Sequence, residues 1–286
     1  MIQTVGIVSR PRRTDIAEVV PPLLRWLTER GVKVLCDQET AKCLSPAAPG
    51  HPRDELPLAA DMLIVLGGDG TLLAAARLMD KRHIPILPVN LGGLGFLTSV
   101  TLGDLYSVLE LALDGKARYS ERVMLESQVL RGDQTLQGAR ALNDAVLNKA
   151  ALARIVDLEL RVEGEFVCNY KADGLIISTP TGSTAYSLAA GGPIVTPSVE
   201  AFLITPICAH TLTHRPLVIP NTVKIEVTVK TQKEAAYLTV DGQVGIAANS
   251  DDVVRMRKSD SYVELVRPPS TPYFEILQKK LKWGER

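Results

Sequence analysis

A glycine cluster that encloses one carboxylate, residues 67–71 with the sequence Gly-Gly-Asp-Gly-Thr, is the part of this chain best suited to chemistry. Glycines let a backbone take positive φ and approach a ligand closely, and successive N–H groups beside a helix N-terminus form an anion site that suits phosphate. The carboxylate of Asp69 repels phosphate there, unless it holds a metal ion or takes a proton from an attacking hydroxyl. The pattern therefore indicates phosphoryl transfer. A tight strand-to-helix connection with a capping aspartate would share this sequence, and the segment has neither a Walker A lysine nor a G-x-G-x-x-G spacing.

Residues 179–188, with the sequence TPTGSTAYSL, supply hydroxyl groups and a glycine where a helix over residues 182–190 is predicted to begin. Backbone and side-chain groups at that point can hydrogen-bond phosphate, ribose or a base edge, and Tyr186 can stack on a base. Serine and threonine are also common helix caps, so a purely structural role fits the same residues.

The pair Asn143 and Asp144 stands at the mouth of an apolar run. An amide beside a carboxylate can chelate a ribose diol, whose two hydroxyls need acceptors about 3 Å away. Asparagine and aspartate are also common turn residues, so a simple turn is the alternative.

Lys171 and Asp173 place a cation and a carboxylate just before another apolar run. An exposed salt bridge would explain them as well as a ligand site would. Arg154 and the Asp-Gly-Gln sequence at 241–243 are weaker signals, because Asp-Gly is a common hairpin turn.

The elements that must position these residues differ between the two parts of the chain. In the first hundred residues, strands are predicted at residues 4–8, 32–35, 62–66 and 84–90, with a helix at residues 15–30. Residues 45–57 contain four prolines and are predicted to form a loop, and the prolines of the fourth strand indicate an edge or strand-end position. The β-α-β order predicts a parallel sheet with ligands at the carboxyl ends of its strands.

After a helix near residues 103–113, short alternating runs between residues 120 and 265 predict a mainly antiparallel β domain. Residues 274–281 have helical spacing. The expected organisation is an α/β domain at 1–100, a β-rich domain at 101–269, and a C-terminal helix within 270–286 that packs back on the first domain.

The composition is that of an ordinary cytoplasmic enzyme, with 46% hydrophobic and 22% charged residues and a net charge of zero. No basic footprint for nucleic acid or a membrane surface is present, and the N-terminal residues lack the charged start of a signal peptide. Four scattered cysteines form no C-x-x-C pair, so they are expected to be reduced and no structural zinc is expected.

Taken in order, these segments closely resemble the bacterial NAD kinase family. The motifs that carry the likeness are Gly-Gly-Asp-Gly-Thr, Asn-Leu-Gly-x-Leu-Gly-Phe-Leu, Asn-Asp, and Pro-Thr-Gly-Ser-Thr-Ala-Tyr-Ser followed by Gly-Gly-Pro. The resemblance extends from residue 5 to about residue 266, with further matches at 205–208, 215–218 and 240–243. The Gly-Gly-Asp-Gly element also occurs in phosphofructokinases and lipid kinases, whereas residues 179–187 are far more specific.

The resemblance implies a fold similar to that of phosphofructokinases and NAD kinases, with an α/β N-terminal domain and a mainly antiparallel β C-terminal domain. It implies transfer of the γ-phosphoryl group of ATP, or of another donor such as polyphosphate, to the 2′-hydroxyl of the adenosine ribose of NAD, giving NADP. Mg²⁺ is expected through the nucleotide phosphates and not in a protein cage. A cytoplasmic homodimer or homotetramer, built through the β domain, is also implied.

The resemblance also assigns roles to residues. Asp69 is the expected general base. The donor phosphates are expected on Gly67, Gly68, Gly70 and Thr71. The NAD site is expected to comprise Asp69, Gly70, Asn143, Asp144, Arg154, Lys171, Asp173, Thr184, Ala185, Tyr186, Ser187, Leu188, Ala189 and Gln243. Of these, Arg154, Lys171 and Gln243 are expected at the rim, contributed across a subunit interface.

Two other functions are compatible with parts of the sequence. A lipid or sugar kinase would share the glycine cluster but should lack residues 179–187, which are present. A non-catalytic NAD(P)-sensing module would need the binding residues without a base, and Asp69 argues against it.

Overall fold

A computed structural model describes residues 2–10, 15–44, 49–79, 82–93, 95–149, 155–211, 213–231, 236–269 and 272–284. The backbone divides into two compact units, one formed by Met1–Glu121 with Val263–Arg286 and the other by Arg122–Tyr262. The boundary predicted at residue 100 therefore falls inside the first unit, which also contains the C-terminal helix. None of the helices in the described ranges has the length and apolar character needed to span a lipid bilayer.

The first unit is an α/β structure around a parallel sheet. Its strands are β1 (Thr4–Ser9), β2 (Lys33–Asp37), β3 (Gly50–His51), β4 (Met62–Gly67), β5 (Ile86–Asn90) and β6 (Val100–Thr101). Its helices are α1 (Ile16–Glu29), α2 (Gln38–Ala41), α3 (Leu56–Ala59), α4 (Asp69–Ala76), α5 (Leu105–Leu113) and, at the C-terminus, α7 (Tyr273–Leu281). The strand order is β3-β2-β1-β4-β5, with every neighbouring pair parallel. The predicted parallel sheet is confirmed.

Strand β4 is buried along its whole length, because it lies at the centre of this sheet with β1 on one side and β5 on the other. Its run Met-Leu-Ile-Val-Leu has no polar alternation, as expected for a strand covered on both faces. The side chains of Ile64 and Leu66 are fully buried in the core of the unit, and the strand ends at the glycine cluster. The core thus fixes where the cluster begins.

Two predictions for this unit are wrong in detail. Residues 45–57 are not one loop, because β3 and the start of α3 lie within them, and Pro57 stands in the first turn of α3, where its missing N–H costs nothing. Strand β5 is not an edge strand, since it pairs with β4 and, on its other side, with β6 and with Leu265. Pro88 is accommodated there because pairing on that side stops at Ile86 and resumes at Val89.

The second unit is built from antiparallel strands, as predicted. Its strands are β8 (Gln134–Ala141), β9 (Asp144–Lys149), β10 (Val156–Val162), β11 (Glu165–Ala172), β12 (Gly174–Ser178), β13 (Ala201–Ile207), β14 (Leu217–Pro220), β15 (Ile225–Val229), β16 (Ala236–Val240) and β17 (Val244–Ala248), together with most of β7 (Arg118–Arg131) and β18 (Val253–Arg267). One six-stranded sheet has the order β14-β13-β12-β9-β16-β17. Phe202, Leu158 and Met256 are among the fully buried side chains of the core of this unit.

Strand β9 brings three chain segments to one end of the six-stranded sheet. Its first residue, Asp144, pairs with Ser178 at the end of β12, and Ala145 pairs with Val240 at the end of β16. The segments that follow β12 and β16 therefore emerge beside the segment that precedes β9. These are the segments in which the sequence places Asn143, the hydroxyl-rich run and the Asp-Gly turn.

The helix predicted over residues 182–190 forms as two short pieces. A 3-10 helix covers Thr181–Thr184 and an α-helix, α6, covers Tyr186–Ala189. The hydroxyl groups compete for backbone partners and so interrupt regular helix. Ser183 Oγ donates to the carbonyl of Pro180 at 2.7 Å and accepts from the N–H of Val195 at 3.0 Å.

Candidate active-site residues in the two units

The glycine cluster of the first unit forms a strand-turn-helix connection, as predicted. Strand β4 ends at Gly67, Gly68 is the N-cap of α4 with extended backbone, and the helix begins at Asp69. No residue of the described cluster has a positive φ. The glycines are therefore needed because they lack a Cβ and allow close contacts, and not for their backbone conformation. A Cβ at position 67 would collide with the side chain of Thr71, at 2.8 Å from its Cβ.

The carboxylate of Asp69 is held by a loop that the sequence did not connect to it. Oδ2 accepts from the N–H of Phe96 at 3.0 Å. Oδ1 accepts from the N–H and the hydroxyl of Thr98 at 3.0 and 2.9 Å, and from the N–H of Leu97 at 3.3 Å. Gly95 allows this approach, since a Cβ there would collide with Asp69 Oδ1. We call residues 95–98 the carboxylate clamp.

A cavity of about 390 Å³ opens beside the glycine cluster within the first unit. It is lined by Arg10, Arg53, Gly68, Gly70, Thr71 and Ala74. Three of the four residues expected to bind donor phosphates therefore face this cavity, and the two arginines were not predicted from the sequence.

A second cavity, of about 360 Å³, lies wholly within the second unit at the end of the six-stranded sheet. Its lining residues are Asn143, Asp144, Val146, Asn148, Ala185, Tyr186, Thr239, Asp241 and Gly242. Four residues expected in the NAD site are thus brought together, and they come from two segments far apart in sequence. Tyr186 exposes 45% of its surface, so its ring is open to a ligand.

Asp241 fixes the Asn143–Asp144 segment from the neighbouring hairpin. Its carboxylate accepts from the backbone N–H groups of Leu142, Asn143 and Asp144 at 3.0, 2.8 and 3.2 Å. The backbone N–H of Asp241 returns a hydrogen bond to the carbonyl of Asp144 at 2.9 Å. Asp241 has a φ of +50°, which is consistent with the predicted turn. The turn is therefore also a positioning element, a role that the sequence analysis missed.

Asn143 presents an unsatisfied acceptor at this cavity. Its Oδ1 is buried and has no hydrogen-bond partner within the described part of the chain. A buried acceptor without a donor costs about 1–3 kcal/mol. A ligand hydroxyl or amino group that donates to Oδ1 would remove that cost.

The carboxyl group of Asp144 is unusually basic for an aspartate. Burial, and secondly the charge of Asp241, raise the pKa of Asp144 to about 7. A proton on this carboxyl removes one acceptor for a ribose hydroxyl. The Asp144 carboxyl at the cavity wall therefore changes its protonation state within the physiological pH range.

This pKa gives a testable sign for stability. The folded chain binds the Asp144 proton more tightly than the unfolded chain, whose aspartates titrate near about 3.9. The group thus favours folding below about pH 4, and this contribution is lost as the pH rises to about 7. Asp144→Asn should gain about 2–4 kcal/mol of unfolding free energy relative to the parent between pH 5 and pH 8. Urea titrations of parent and variant at pH 5 and at pH 8 measure this gain. If the stability difference between variant and parent is the same at both pH values, the raised pKa of Asp144 is contradicted.

Gly182 lets the hydroxyl-rich segment approach Asn143. A Cβ at position 182 would lie 2.5 Å from the carbonyl carbon of Asn143 and 2.6 Å from its Cα. Gly182→Ala should therefore displace Asn143 and raise the KM for NAD at least tenfold, with a stability loss of about 1–3 kcal/mol. Gly245→Ala is the matched control, because a Cβ there meets no atom within 4 Å. Equal kinetics for the two variants would show that the close approach is irrelevant to NAD.

The other expected NAD residues lie apart from the cavity lining. Ser187 is buried and its Oγ is 3.0 Å from the Thr205 hydroxyl, while Thr184, Leu188 and Ala189 are neighbours of Ala185 and Tyr186 that do not line the cavity. Asp173 forms a salt bridge with Lys149 at 2.8 Å.

The residues expected at the rim are more exposed still. Lys171 is exposed and its Nζ lies 4.0 Å from a carboxylate oxygen of Asp157. Gln243 is exposed in the turn that follows β16. Arg154 lies outside the described residues. Their assignment to the NAD site stays a prediction.

The first unit is a parallel α/β structure whose central strand ends at a glycine cluster with one carboxylate, and the second is an antiparallel β structure with its own cavity. Both features fit a phosphotransferase that acts on nucleotides. Two family models match the chain in this arrangement. The ATP-NAD kinase N-terminal domain matches residues 5–117, and the ATP-NAD kinase C-terminal domain matches residues 142–268.

Two NAD kinases are similar in sequence to this chain along its whole length. An NAD kinase of Solibacter usitatus is 50% identical over 286 residues, covering 100% of this chain and 99% of the relative. An NAD kinase of Geobacter metallireducens is 52% identical over 285 residues, covering 100% of both chains. The chain therefore belongs to the ATP-NAD kinase family.

Solved structures show the same fold. Yeast NADH kinase complexed with NADH superimposes with a TM-score of 0.90 at 27% identity, covering 100% of this chain and 89% of that one. An NAD kinase from Archaeoglobus fulgidus in complex with ATP gives a TM-score of 0.78 at 25% identity, covering 98% of each chain. The expected fold class is confirmed.

Proposed function

We propose that this chain transfers the γ-phosphoryl group of ATP to the 2′-hydroxyl of the adenosine ribose of NAD and releases NADP and ADP. Membership of the NAD kinase family makes the chain a phosphotransferase that phosphorylates NAD. The observation that best supports the proposal is the cavity of the second unit, which is lined by both Asn143 and Asp144. Within the described residues, Oδ1 of Asn143 has no hydrogen-bond partner. An amide and a carboxylate side by side match the two hydroxyls of a ribose.

Asp69 is proposed to act as the general base. Its carboxylate accepts the proton of the attacking hydroxyl while the oxygen forms its bond to the γ-phosphorus and the bond to the ADP oxygen breaks. Positioned proton transfer of this kind contributes about 10²–10⁴ in rate. The hydrogen bonds from the carboxylate clamp hold the carboxylate in one orientation, which favours a reproducible position for the proton acceptor.

The glycine cluster is proposed to hold the donor phosphates through backbone N–H groups. Gly68, Gly70 and Thr71 line the cavity of the first unit, and they stand at the start of α4, where the helix dipole favours anions. Gly67 acts indirectly, because its missing Cβ leaves room for Thr71. The alignment of donor and acceptor should contribute more than proton transfer does.

Mg²⁺ is proposed to enter with the nucleotide. Within the described ranges, no group of three or more His, Cys, Asp or Glu side chains is arranged to hold a metal ion. We expect the cation to be carried by the donor phosphates, which is a common arrangement for Mg²⁺. The residues that hold those phosphates, Gly68, Gly70 and Thr71, would hold the ion with them. When bound, the ion neutralises negative charge on the phosphoryl oxygens.

NAD is proposed to bind in the cavity of the second unit, with Asn143 and Asp144 on the ribose or a base edge and Tyr186 stacked on a base. Asp173 is proposed to line the base pockets of the site, and Arg154, Lys171 and Gln243 are proposed to lie at its rim.

We also propose that the chain works in the cytoplasm as a homodimer or homotetramer. Sedimentation equilibrium at several concentrations would test the oligomeric state.

The proposal for donor and metal is tested with one preparation of pure protein. ATP, inorganic polyphosphate and other nucleoside triphosphates are compared side by side with NAD, each with Mg²⁺ and with excess chelator. We expect NADP from ATP only when Mg²⁺ is present. Undiminished NADP in chelator would refute the metal proposal, and NADP from polyphosphate alone would refute ATP as the donor.

A further inference from the structure

The cavity beside the glycine cluster is lined by two arginines to which neither the motif nor the proposed mechanism gives a role. They are Arg10 and Arg53, and no acidic residue is among the described lining residues. The glycine cluster lacks the lysine that Walker A loops direct at phosphates. A positively charged side chain that balances the charge of the donor phosphates must therefore come from another segment of the chain.

Arg53 is a fixed donor whose guanidinium is only partly used inside the protein. Its Nε donates to the Asp37 carboxylate and its Nη2 donates to the carbonyl of Ser9. Asp37 is fully buried and also accepts from the N–H of Thr40 at 2.8 Å, at the start of α2, so it is itself immobile. A guanidinium carries five N–H donors in one plane. The two interactions leave further donors, held in a defined direction, at a cavity wall.

Arg10 stands at the carboxyl end of β1, beside the glycine cluster. Its backbone N–H donates to the carbonyl of Leu66 at 3.1 Å, one residue before Gly67. The side chain is exposed and forms no ion pair with the described residues. An unpaired cation on a cavity wall favours an anionic ligand, and ligands of open parallel sheets bind at the carboxyl ends of the strands.

We propose that Arg10 and Arg53 bind the phosphate chain of the phosphoryl donor in this cavity. The inference rests on the proposed function, because it assigns the cavity of the first unit to the donor. Arg53 contributes a rigid fork that suits bidentate phosphate contact, and Arg10 contributes a mobile charge. The chemical class that the cavity recognises is a linear chain of phosphates, whether carried by a nucleoside or free.

The test uses Arg10→Ala, Arg53→Lys and the double variant, with Arg25→Ala as matched control. Arg25 is an exposed arginine of α1 outside the cavity lining. Arg53→Lys retains a cation for Asp37 but loses the planar fork. Steady-state kinetics give separate KM values for ATP and NAD, and titration calorimetry with inorganic tripolyphosphate measures binding without catalysis.

We expect Arg10→Ala and Arg53→Lys each to raise the KM for ATP about tenfold, with the KM for NAD within twofold of the parent. Tripolyphosphate affinity should fall by a similar factor, while Arg25→Ala changes nothing. If the KM for ATP and the tripolyphosphate affinity of both variants stay within twofold of the parent, the inference is wrong. If tripolyphosphate affinity falls but ATP kinetics do not, the cavity binds free phosphate chains and not the ATP tail.

Misfolding of a variant and failure of the proposed function are each distinguished from failure of this inference. Thermal unfolding of each variant shows whether it folds, and Arg10→Ala decides alone if Arg53→Lys does not. A parent protein that makes no NADP would refute the proposed function, whereas the tripolyphosphate titration would still decide whether the arginines bind phosphate.

Discussion

Asp69→Asn should lower kcat for NADP formation by at least about a hundredfold and leave NAD affinity within about twofold. Removal of the carboxylate removes the proton acceptor, and positioned bases of this kind are worth about 10²–10⁴ in rate. The amide also keeps only one acceptor oxygen for the clamp donors Phe96 and Thr98, so part of the loss comes from a looser loop. Steady-state kinetics with saturating ATP and NAD, together with NAD binding measured by calorimetry, give the two quantities.

Thr98→Ala separates the base from the clamp. It removes the 2.9 Å hydrogen bond from the Thr98 hydroxyl to Asp69 but keeps the carboxylate. We expect a loss of kcat below about tenfold for this variant. A loss equal to that of Asp69→Asn would mean that the carboxylate only holds the loop, and unimpaired turnover by Asp69→Asn would exclude both roles.

Asp241→Asn should raise the KM for NAD at least tenfold and lower the unfolding free energy by about 2–3 kcal/mol. The reason is that three backbone N–H groups, those of residues 142–144, lose a charged acceptor that holds them in place. Asparagine tolerates the positive φ at this position, so backbone strain does not contribute. Urea denaturation and initial-rate kinetics measure the two effects.

A second readout distinguishes this positioning role from simple loss of stability. Because the charge of Asp241 is one of the two causes that raise the pKa of Asp144, its removal should move the Asp144 titration below about 7. Asp133→Asn, in an exposed hairpin turn between β7 and β8, is the matched control. An unchanged Asp144 titration and an unchanged KM for NAD in Asp241→Asn would contradict the role given to Asp241.

Local sequence patterns were enough to predict the parts of the fold that depend on neighbouring residues. The apolar run before residue 67 and the glycines after it predict strand, turn and helix, and β4 and α4 form accordingly. The alternation after residue 120 predicts antiparallel strands, which also form. In both cases the periodicity of the side chains reflects burial on one face or on two.

Contacts between distant segments were not predictable from one sequence. The clamp donors lie 27 to 29 residues from Asp69, and the groups held by Asp241 lie 97 to 99 residues away. No local pattern encodes which turn closes on which carboxylate. For the same reason the Asp-Gly sequence predicted the hairpin but not its second role.

The hydroxyl-rich segment forms two short helical pieces and not one continuous helix, for a physical reason that is visible only in the fold. Gly182 lies close to Asn143, and Ser183 accepts a hydrogen bond from Val195. These contacts stabilise the segment more than a continuous helix would. Arg53 was equally hidden, since nothing in the sequence links residue 53 to Asp37 or to the glycine cluster.

The most direct measurement incubates the pure protein with ATP, Mg²⁺ and NAD, and detects the product with a dehydrogenase that accepts only NADP. We predict NADP that accumulates in proportion to protein and time, and that carries its new phosphate on the 2′-oxygen of the adenosine ribose by phosphorus NMR. No NADP from NAD, with phosphorylation of a lipid or a sugar by the same preparation, would contradict the proposed function.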